Sequence, residues 1–299
     1  MPAINIPTIP AKTIVTRVQG SYNWFSVDYN MNIYRGCPHG CIYCDSRSDC
    51  YRNFDFGTVK AKADALRIIR NELRRKVRTG VIATGAMSDP YNPHEQELRL
   101  SRNALELINA FGFGVSIATK SPLAARDADI LQDIKAHSPA MVMFSVTTAD
   151  DKLCKLLEPD VACSSERFDA LEQLACAGIF CGVLMMPILP FINDTPENIT
   201  GILHRAKDAG AAFVYPSFGV SLRSGNREYF YHHLDSHFPG LRQMYASRYG
   251  NMYQCHSPHN RKLWATFMST CEQLGLLHRM DDINKRLRTG YADRQLRFM

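Results

Sequence analysis

The sequence predicts an α/β fold: a partial (β/α)6 TIM-type barrel with a parallel sheet, followed by a C-terminal helical and loop appendage. Three observations carry this expectation. Short β-rich runs alternate with longer segments of helical periodicity, in six successive units. The runs are near-continuously apolar and rich in Val, Ile and Phe, as strands covered on both faces require. Polar residues gather just past the C-terminal ends of these runs, where parallel barrels build their sites.

The first strand is expected at 30–36 ("NMNIYRG"), then 80–87 ("GVIATGAM"), 114–120 ("GVSIATK"), 141–148 ("MVMFSVTT"), 180–189 ("FCGVLMMPIL") and 213–220 ("FVYPSFGV"). Helices are expected at about 60–79, 98–111, 122–137, 164–178 and 195–210. In the first of them Leu66, Ile69, Leu73 and Val77 recur at helical spacing. Asp194-Thr195-Pro196-Glu197 supplies a cap and an early proline. Ser164 and Ser165 can cap the segment before Glu166-Arg167. Six units in series imply right-handed crossovers, and six strands fall short of a closed eight-stranded barrel. Residues 1–29 read as an N-terminal extension, 30–224 as the barrel core, and 225–299 as an appendage that closes one side or the mouth without a core of its own.

Composition is that of an ordinary globular chain: 45% of the 299 residues are hydrophobic and 21% charged. No apolar run approaches the roughly 20 residues of a membrane span. The N-terminus has no basic flank before an apolar stretch, so a signal peptide is not expected and a cytoplasmic location is the default. In that compartment the ten cysteines stay mostly reduced. Cys154, Cys163, Cys176, Cys181 and Cys271 read as small core hydrophobes. The net charge is +6, and eight Lys and Arg residues between 60 and 78 give the first helix a basic outer face. Such a stripe is usually a solvated surface; nucleic-acid contact is the sharper reading.

The most informative stretch is "RGCPHGCIYCD" (35–45), with Cys37, Cys41 and Cys44 spaced C-x3-C-x2-C at the end of the first strand. Soft thiolates select zinc, copper(I) or iron–sulfur clusters. Zinc would need a fourth ligand; His39 is cramped within the loop and Cys50 is available. A [4Fe–4S] cluster held by three cysteines keeps one iron open, which is a catalytic arrangement. "GAMSDPYNP", "TKS", "SVTT" and "MPILP" end the following strands, so Ser88, Asp89, Lys120 and Ser145 fall on the same rim. Lys120 at the end of an apolar strand is costly unless paired or exposed. Ser145 and Thr147 read equally as strand residues, Met186 as core filler, and Asp89 before Pro90-Tyr91 as a turn residue.

C-x3-C-x-aromatic-C, with Tyr43 before the last cysteine, resembles the signature of the radical SAM superfamily. The resemblance implies a [4Fe–4S] cluster on Cys37, Cys41 and Cys44. Its open iron would chelate S-adenosylmethionine (SAM), and one electron would cleave the sulfonium to methionine and a 5′-deoxyadenosyl radical that abstracts hydrogen. It also implies a partial (β/α)6 barrel and a one-electron donor such as a flavodoxin or ferredoxin. Over roughly residues 20–220, "GAMSDPYNP", "IATKS", "FSVTT", "LEPDVACSSERFDAL" and "LMMPILPFIND" resemble the branch containing spore photoproduct lyase, a DNA-repair enzyme. By motif match Ser88 and Lys120 would hold the SAM carboxylate with Ser145 nearby. Tyr43 would lie by the adenine, and Met186 would form its apolar wall. Asp89 belongs to the same rim motif.

One departure stands out. The lyase carries a hydrogen-returning cysteine two residues before the matched serine, and here that position is Ala86. Cys255, in "GNMYQCHSPHN", and the tyrosines Tyr91 and Tyr253 are the replacement candidates. Lyase-like chemistry on nucleic acid therefore stands beside the same radical chemistry on a peptide or small metabolite. A non-catalytic iron–sulfur or zinc protein is the third reading.

Overall fold

The computed structural model describes residues 6–19, 24–53 and 55–291; expectations for 1–5, 20–23, 54 and 292–299 lie outside the described residues. The chain begins with β1 (Thr8–Ile9) and β2 (Val15–Arg17), a single 3-10 turn at Trp24–Ser26, then β3 (Tyr29–Met31) and β4 (Tyr34–Arg35). After the cysteine loop come β5 (Lys60–Lys62), α1 (Ala65–Arg75), β6 (Val81–Thr84), α2 (Glu95–Leu98), α3 (Leu100–Ala110) and β7 (Gly114–Thr119). The chain continues through α4 (Ala128–Lys135), β8 (Ala140–Ser145), α5 (Asp151–Leu157), α6 (Ser164–Cys176), β9 (Phe180–Met185), α7 (Pro196–Asp208) and β10 (Phe213–Pro216). It closes with β11 (Gly219–Ser221), α8 (Asn226–His237), α9 (Leu241–Tyr249), β12 (Gln254–His256), α10 (Asn260–Leu274) and α11 (Met280–Arg288). Among the described residues no helix is long and apolar enough to cross a membrane.

The expected parallel sheet is present. Strands run in the order β10-β9-β8-β7-β6-β3, each parallel to its neighbour, and β2 adds an antiparallel edge beside β3. Alternation sorts the two faces. On β7, Val115 and Ile117 point to the helices while Ser116 and Ala118 line an interior cavity. On β8, Val142 and Phe144 face out and Met143 and Ser145 face in. At the other edge, Val214 and Leu277 exchange backbone bonds: Val214 N donates to the Leu277 carbonyl at 2.9 Å, and Leu277 N to that of Ala212 at 3.1 Å. The exposed edge of β10 is thereby covered. Phe25, Met141, Phe213, Ile283 and Leu287 form a further apolar cluster, so α11 and the 24–26 turn pack against the barrel interior.

Several local expectations are corrected. The strand at 30–36 is broken into β3 and β4. The helix at 60–79 is shorter: residues 60–62 alternate in burial and pair as β5 between β1 and β4. Asp64, with φ 54°, starts the helix only at Ala65. The helix ends at Arg75, so Val77 is 99% exposed instead of extending the apolar stripe. The segment at 122–137 opens as a 3-10 turn, and α5 lies outside the expected helices. The cap of α6 is Cys163, whose N–H donates to Glu166 at 2.7 Å, not a serine. Thr195 caps α7 as expected, accepting from Asn198 N at 3.2 Å. Of the five cysteines assigned to the core, Cys154, Cys181 and Cys271 are buried, Cys163 is half-buried and Cys176 is exposed.

The C-terminal elements share a core with the cysteine loop. Ile42 and Tyr43 pack with Leu222, Phe230, Tyr245 and Cys255 in a second buried cluster. Gly85 ends β6 at φ +101°, and a Cβ there would lie 1.8 Å from the Ala118 carbonyl oxygen of the adjacent strand. Gly85→Ala is expected to destabilise the protein by about 2 kcal/mol or more, because backbone strain and backbone overlap act together. A thermal melt of the metal-free protein should show a drop of roughly 3 °C or more; an unchanged melt would refute the close approach.

Candidate active site at the C-terminal ends of the strands

The cysteine loop is pinned at several backbone points. Gly36 takes φ +83°, where a Cβ would meet the Thr58 carbonyl oxygen at 2.2 Å. Cys37 N donates to the Phe56 carbonyl at 2.7 Å, Ile42 N to that of Leu157 at 3.0 Å, and Cys44 N to that of Cys41 at 3.3 Å. Ser88 Oγ donates to the Gly36 carbonyl at 2.5 Å, so the second strand's end holds the first residue before the cysteines. Cys41 is buried, Cys37 and Cys44 are half-buried, and all three thiols are free.

Burial raises the Cys37 thiol to a pKa of about 11, and the Asp89 carboxylate adds to the rise. Burial also pushes Cys41 well above the usual thiol range, against the pull of the Lys120 ammonium. Such thiols need a strong local positive charge to ionise, which a metal centre supplies. The donor set fits a [4Fe–4S] group: three soft sulfurs on one short loop, one of them facing an adjoining cavity. Cys50 is exposed, with its thiol 3.5 Å from the Arg223 guanidinium. Among the described residues no three His, Cys, Asp or Glu side chains converge on a single-ion position.

A cavity of about 570 Å³ adjoins the loop. Tyr43, Cys44, Lys120, Ser145 and Met186 all line it, together with Ala86. Thus four of the six residues assigned to cofactor binding come together with one of the cysteines. The Lys120 side chain is 18% exposed, and its Nζ lies 3.9 Å from Glu158 and 5.8 Å from the centre of the Tyr43 ring. Burial opposes its charge, but the Cys41 thiol and the Glu158 carboxylate hold its pKa above the ordinary lysine range.

Ser88 and Asp89 are not among the lining residues. Asp89 is a buried junction: it accepts from Tyr91 N at 2.9 Å, Thr119 Oγ1 at 2.7 Å and Lys120 N at 2.8 Å, and lies 3.6 Å from His39 Nδ1. It therefore fixes the end of β7 relative to both loops. The geometry does not bring Tyr91 or Cys255 to the cavity. The Tyr91 hydroxyl donates to Asp127 at 3.0 Å. The Cys255 thiol is buried in the second cluster, 3.8 Å from the Met252 carbonyl. Tyr253 is on the surface, bonded by Arg223.

Sequence reasoning assigned no role to two residues that the structure makes central. Glu158 and Arg167 are both fully buried and pair at 2.6 Å. The Tyr43 hydroxyl donates to the same carboxylate. Burial would raise the Glu158 pKa, but Arg167, Lys120 and the Tyr43 hydroxyl hold it below the usual glutamate range. Arg167 Nη1 donates to the Ser145 carbonyl at 2.8 Å, and Nε and Nη2 to that of Ala162 at 3.0 and 2.7 Å. A signal was available: Arg167, Leu171 and Leu174 share the buried face of α6, and an arginine on an apolar stripe demands a buried partner.

The sequence profile of the radical SAM superfamily matches residues 31–203, more than half of the chain. The chain belongs to the radical SAM superfamily. This radical SAM enzyme is 31% identical over 233 residues to an uncharacterised protein of Mycobacterium tuberculosis (strain ATCC 25618 / H37Rv), covering 76% of this chain and 67% of that protein. It is 30% identical over 211 residues to an uncharacterised protein of Methanocaldococcus jannaschii, covering 71% and 76%. Spore photoproduct lyase complexed with dinucleoside spore photoproduct superposes with a TM-score of 0.63 at 14% identity, over 83% of this chain and 74% of the lyase. The radical SAM methyltransferase TsrM of Kitasatospora setae superposes with a TM-score of 0.53 at 12% identity, over 85% and 53%. At these identities the structural matches speak to the fold, a partial barrel with a mostly parallel sheet.

For this radical SAM enzyme the Asp89 junction can be tested without any cofactor. Asp89→Ala removes the acceptor of three hydrogen bonds and strands buried donors, an expected loss of about 2–4 kcal/mol. Urea denaturation of the metal-free protein measures it, and a change under about 0.5 kcal/mol would show that the carboxylate does not hold the rim.

Proposed function

We propose that the protein is a radical SAM enzyme whose cluster is held by Cys37, Cys41 and Cys44 and whose SAM occupies the adjoining cavity. The observation that carries this reading is the convergence of Cys44, Tyr43, Lys120, Ser145 and Met186 on one cavity beside a three-thiol loop. Bound together, cluster and SAM supply one-electron reductive cleavage to methionine and a 5′-deoxyadenosyl radical that takes hydrogen from a substrate. The chain's own residues bind and orient. Lys120 presents an ammonium to a carboxylate, Tyr43 and Met186 offer apolar surface to an adenine, and the second buried cluster keeps water from the loop. Ser88 and Asp89 act behind them by fixing Gly36 and the end of β7. The electron comes from a small carrier of the flavodoxin or ferredoxin kind.

Ala86 lines the cavity at the position where the lyase-like branch carries its hydrogen-returning cysteine. This supports a substrate other than the lyase's, a peptide or small metabolite. None of the cavity-lining residues belongs to α1, so the basic face of that helix lends little support to nucleic acid as the substrate. Duplex DNA titrated at low and high salt separates the two readings, since phosphate contact would give strongly salt-dependent binding.

The function is tested by anaerobic reconstitution with iron and sulfide, followed by dithionite and SAM. Formation of 5′-deoxyadenosine and methionine is expected, falling to background in Cys41→Ala. Lys120→Met should load its cluster normally yet bind SAM about 10- to 100-fold more weakly, the scale of one lost hydrogen bond to a charged group. An intact cluster with no SAM binding in the wild type would overturn the reading.

A further inference from the structure

Two cations and one anion meet behind the cavity wall. Glu158 presents both carboxylate oxygens: Oε2 takes Arg167 at 2.6 Å and Oε1 takes the Tyr43 hydroxyl. The Cys154 thiol adds a weak contact to Oε2 at 3.5 Å. Arg167 has no freedom to move, because its other donors are committed to the carbonyls of Ser145 and Ala162. The remaining cation, Lys120, stops 3.9 Å short of Oε1. That is beyond hydrogen-bonding distance, and among the described residues no acceptor lies within reach of its Nζ.

This arrangement is unusual for a largely buried ammonium. Beside an unpaired carboxylate it would close to direct contact, where attraction in a poorly solvated site is strongest. Here the carboxylate is already satisfied. The trio also carries one net positive charge, and that charge is displayed at the cavity by Lys120. Removing the guanidinium would leave Lys120 and Glu158 as a self-neutralising pair with nothing to offer an anion.

We propose that Arg167 is a positioning residue of the cavity: by occupying Glu158 and holding it against Tyr43, it keeps the Lys120 ammonium off the carboxylate and available to an anionic ligand group. The inference rests on the proposed function in taking that group to be the carboxylate of SAM. Arg167 touches no ligand itself and acts through Glu158.

The test is a rescue. SAM affinity is measured by equilibrium dialysis against the reconstituted, unreduced protein, with iron content and melting temperature recorded for each variant. Arg167→Met is expected to weaken SAM binding about tenfold or more at normal iron content. The double variant Arg167→Met/Glu158→Gln removes both buried charges, keeps an acceptor for Tyr43, and restores the net positive charge. Its affinity is expected within about threefold of wild type, since removing both charges of a buried ion pair together leaves no uncompensated charge. Merely structural glue would make the double variant as weak as the single one, and that result overturns the proposal, as does an unchanged affinity in Arg167→Met. If Arg167→Met does not fold, the double variant decides alone: SAM binding about tenfold weaker than wild type overturns it. A crystal structure of a cluster-free Arg167→Met protein reads the same point without SAM. Lys120 Nζ should move to within about 3.2 Å of Glu158, and a separation unchanged from wild type refutes the inference. Failure of the wild type to bind SAM would overturn the proposed function instead, and the crystallographic distance would still decide what Arg167 does to Lys120.

Discussion

A fully buried carboxylate and guanidinium can persist only if nearly every donor and acceptor they carry is satisfied, because the desolvation of each charge is offset by no single contact. Glu158 and Arg167 meet that condition by reaching into three separate parts of the chain. The carboxylate takes Tyr43 from the cysteine loop, and the guanidinium takes the carbonyls of Ser145 at the end of β8 and Ala162 before α6. The rim of the barrel is therefore not free to splay. Moving the loop, the strand end or the helix start would uncover a charge in an apolar interior. Asp89 does for the ends of β6 and β7 what this pair does for the loop and β8.

The sheet makes room for the site by using its two faces differently. Outward positions carry Val, Ile and Phe into the helical layer. Inward positions are smaller or more polar near the rim, including Ala83, Ser116, Ala118 and Ser145, so a cavity remains where a closed core would otherwise form. Bulk returns deeper in the barrel, where Phe25, Met141 and Phe213 fill the interior. Glycine at position 182 allows the Phe213 ring to lie where a Cβ would overlap it at 2.4 Å.

The C-terminal elements complete the loop's environment. By packing Phe230, Tyr245 and Cys255 against the loop, they take Cys41, Ile42 and Tyr43 out of water. Burial is the main reason the Cys37 and Cys41 thiols resist ionisation. The same packing explains why Cys255, attractive as an isolated cysteine beside two histidines, is a packing residue in the fold: its thiol faces the second core and the Met252 carbonyl.

What the sequence by itself determined is whatever depends on local period and spacing. Six parallel strands follow from continuous apolar runs, α7 from Thr195-Pro196, and the superfamily from the motif of three cysteines within eight residues. The rim residues Lys120 and Ser145 were legible because strand ends of a parallel barrel converge on one face. Boundaries such as Asp64 and Arg99 were not, since a single residue in the left-handed region interrupts a pattern that periodicity alone would continue. Only the tertiary structure decided that Ser88 and Asp89 brace the site from behind, and that Glu158 and Arg167 lie beneath it. Their partners are up to 115 residues away. A polar side chain's function depends on which distant donor or acceptor reaches it in a space that excludes water, and no local pattern records that meeting.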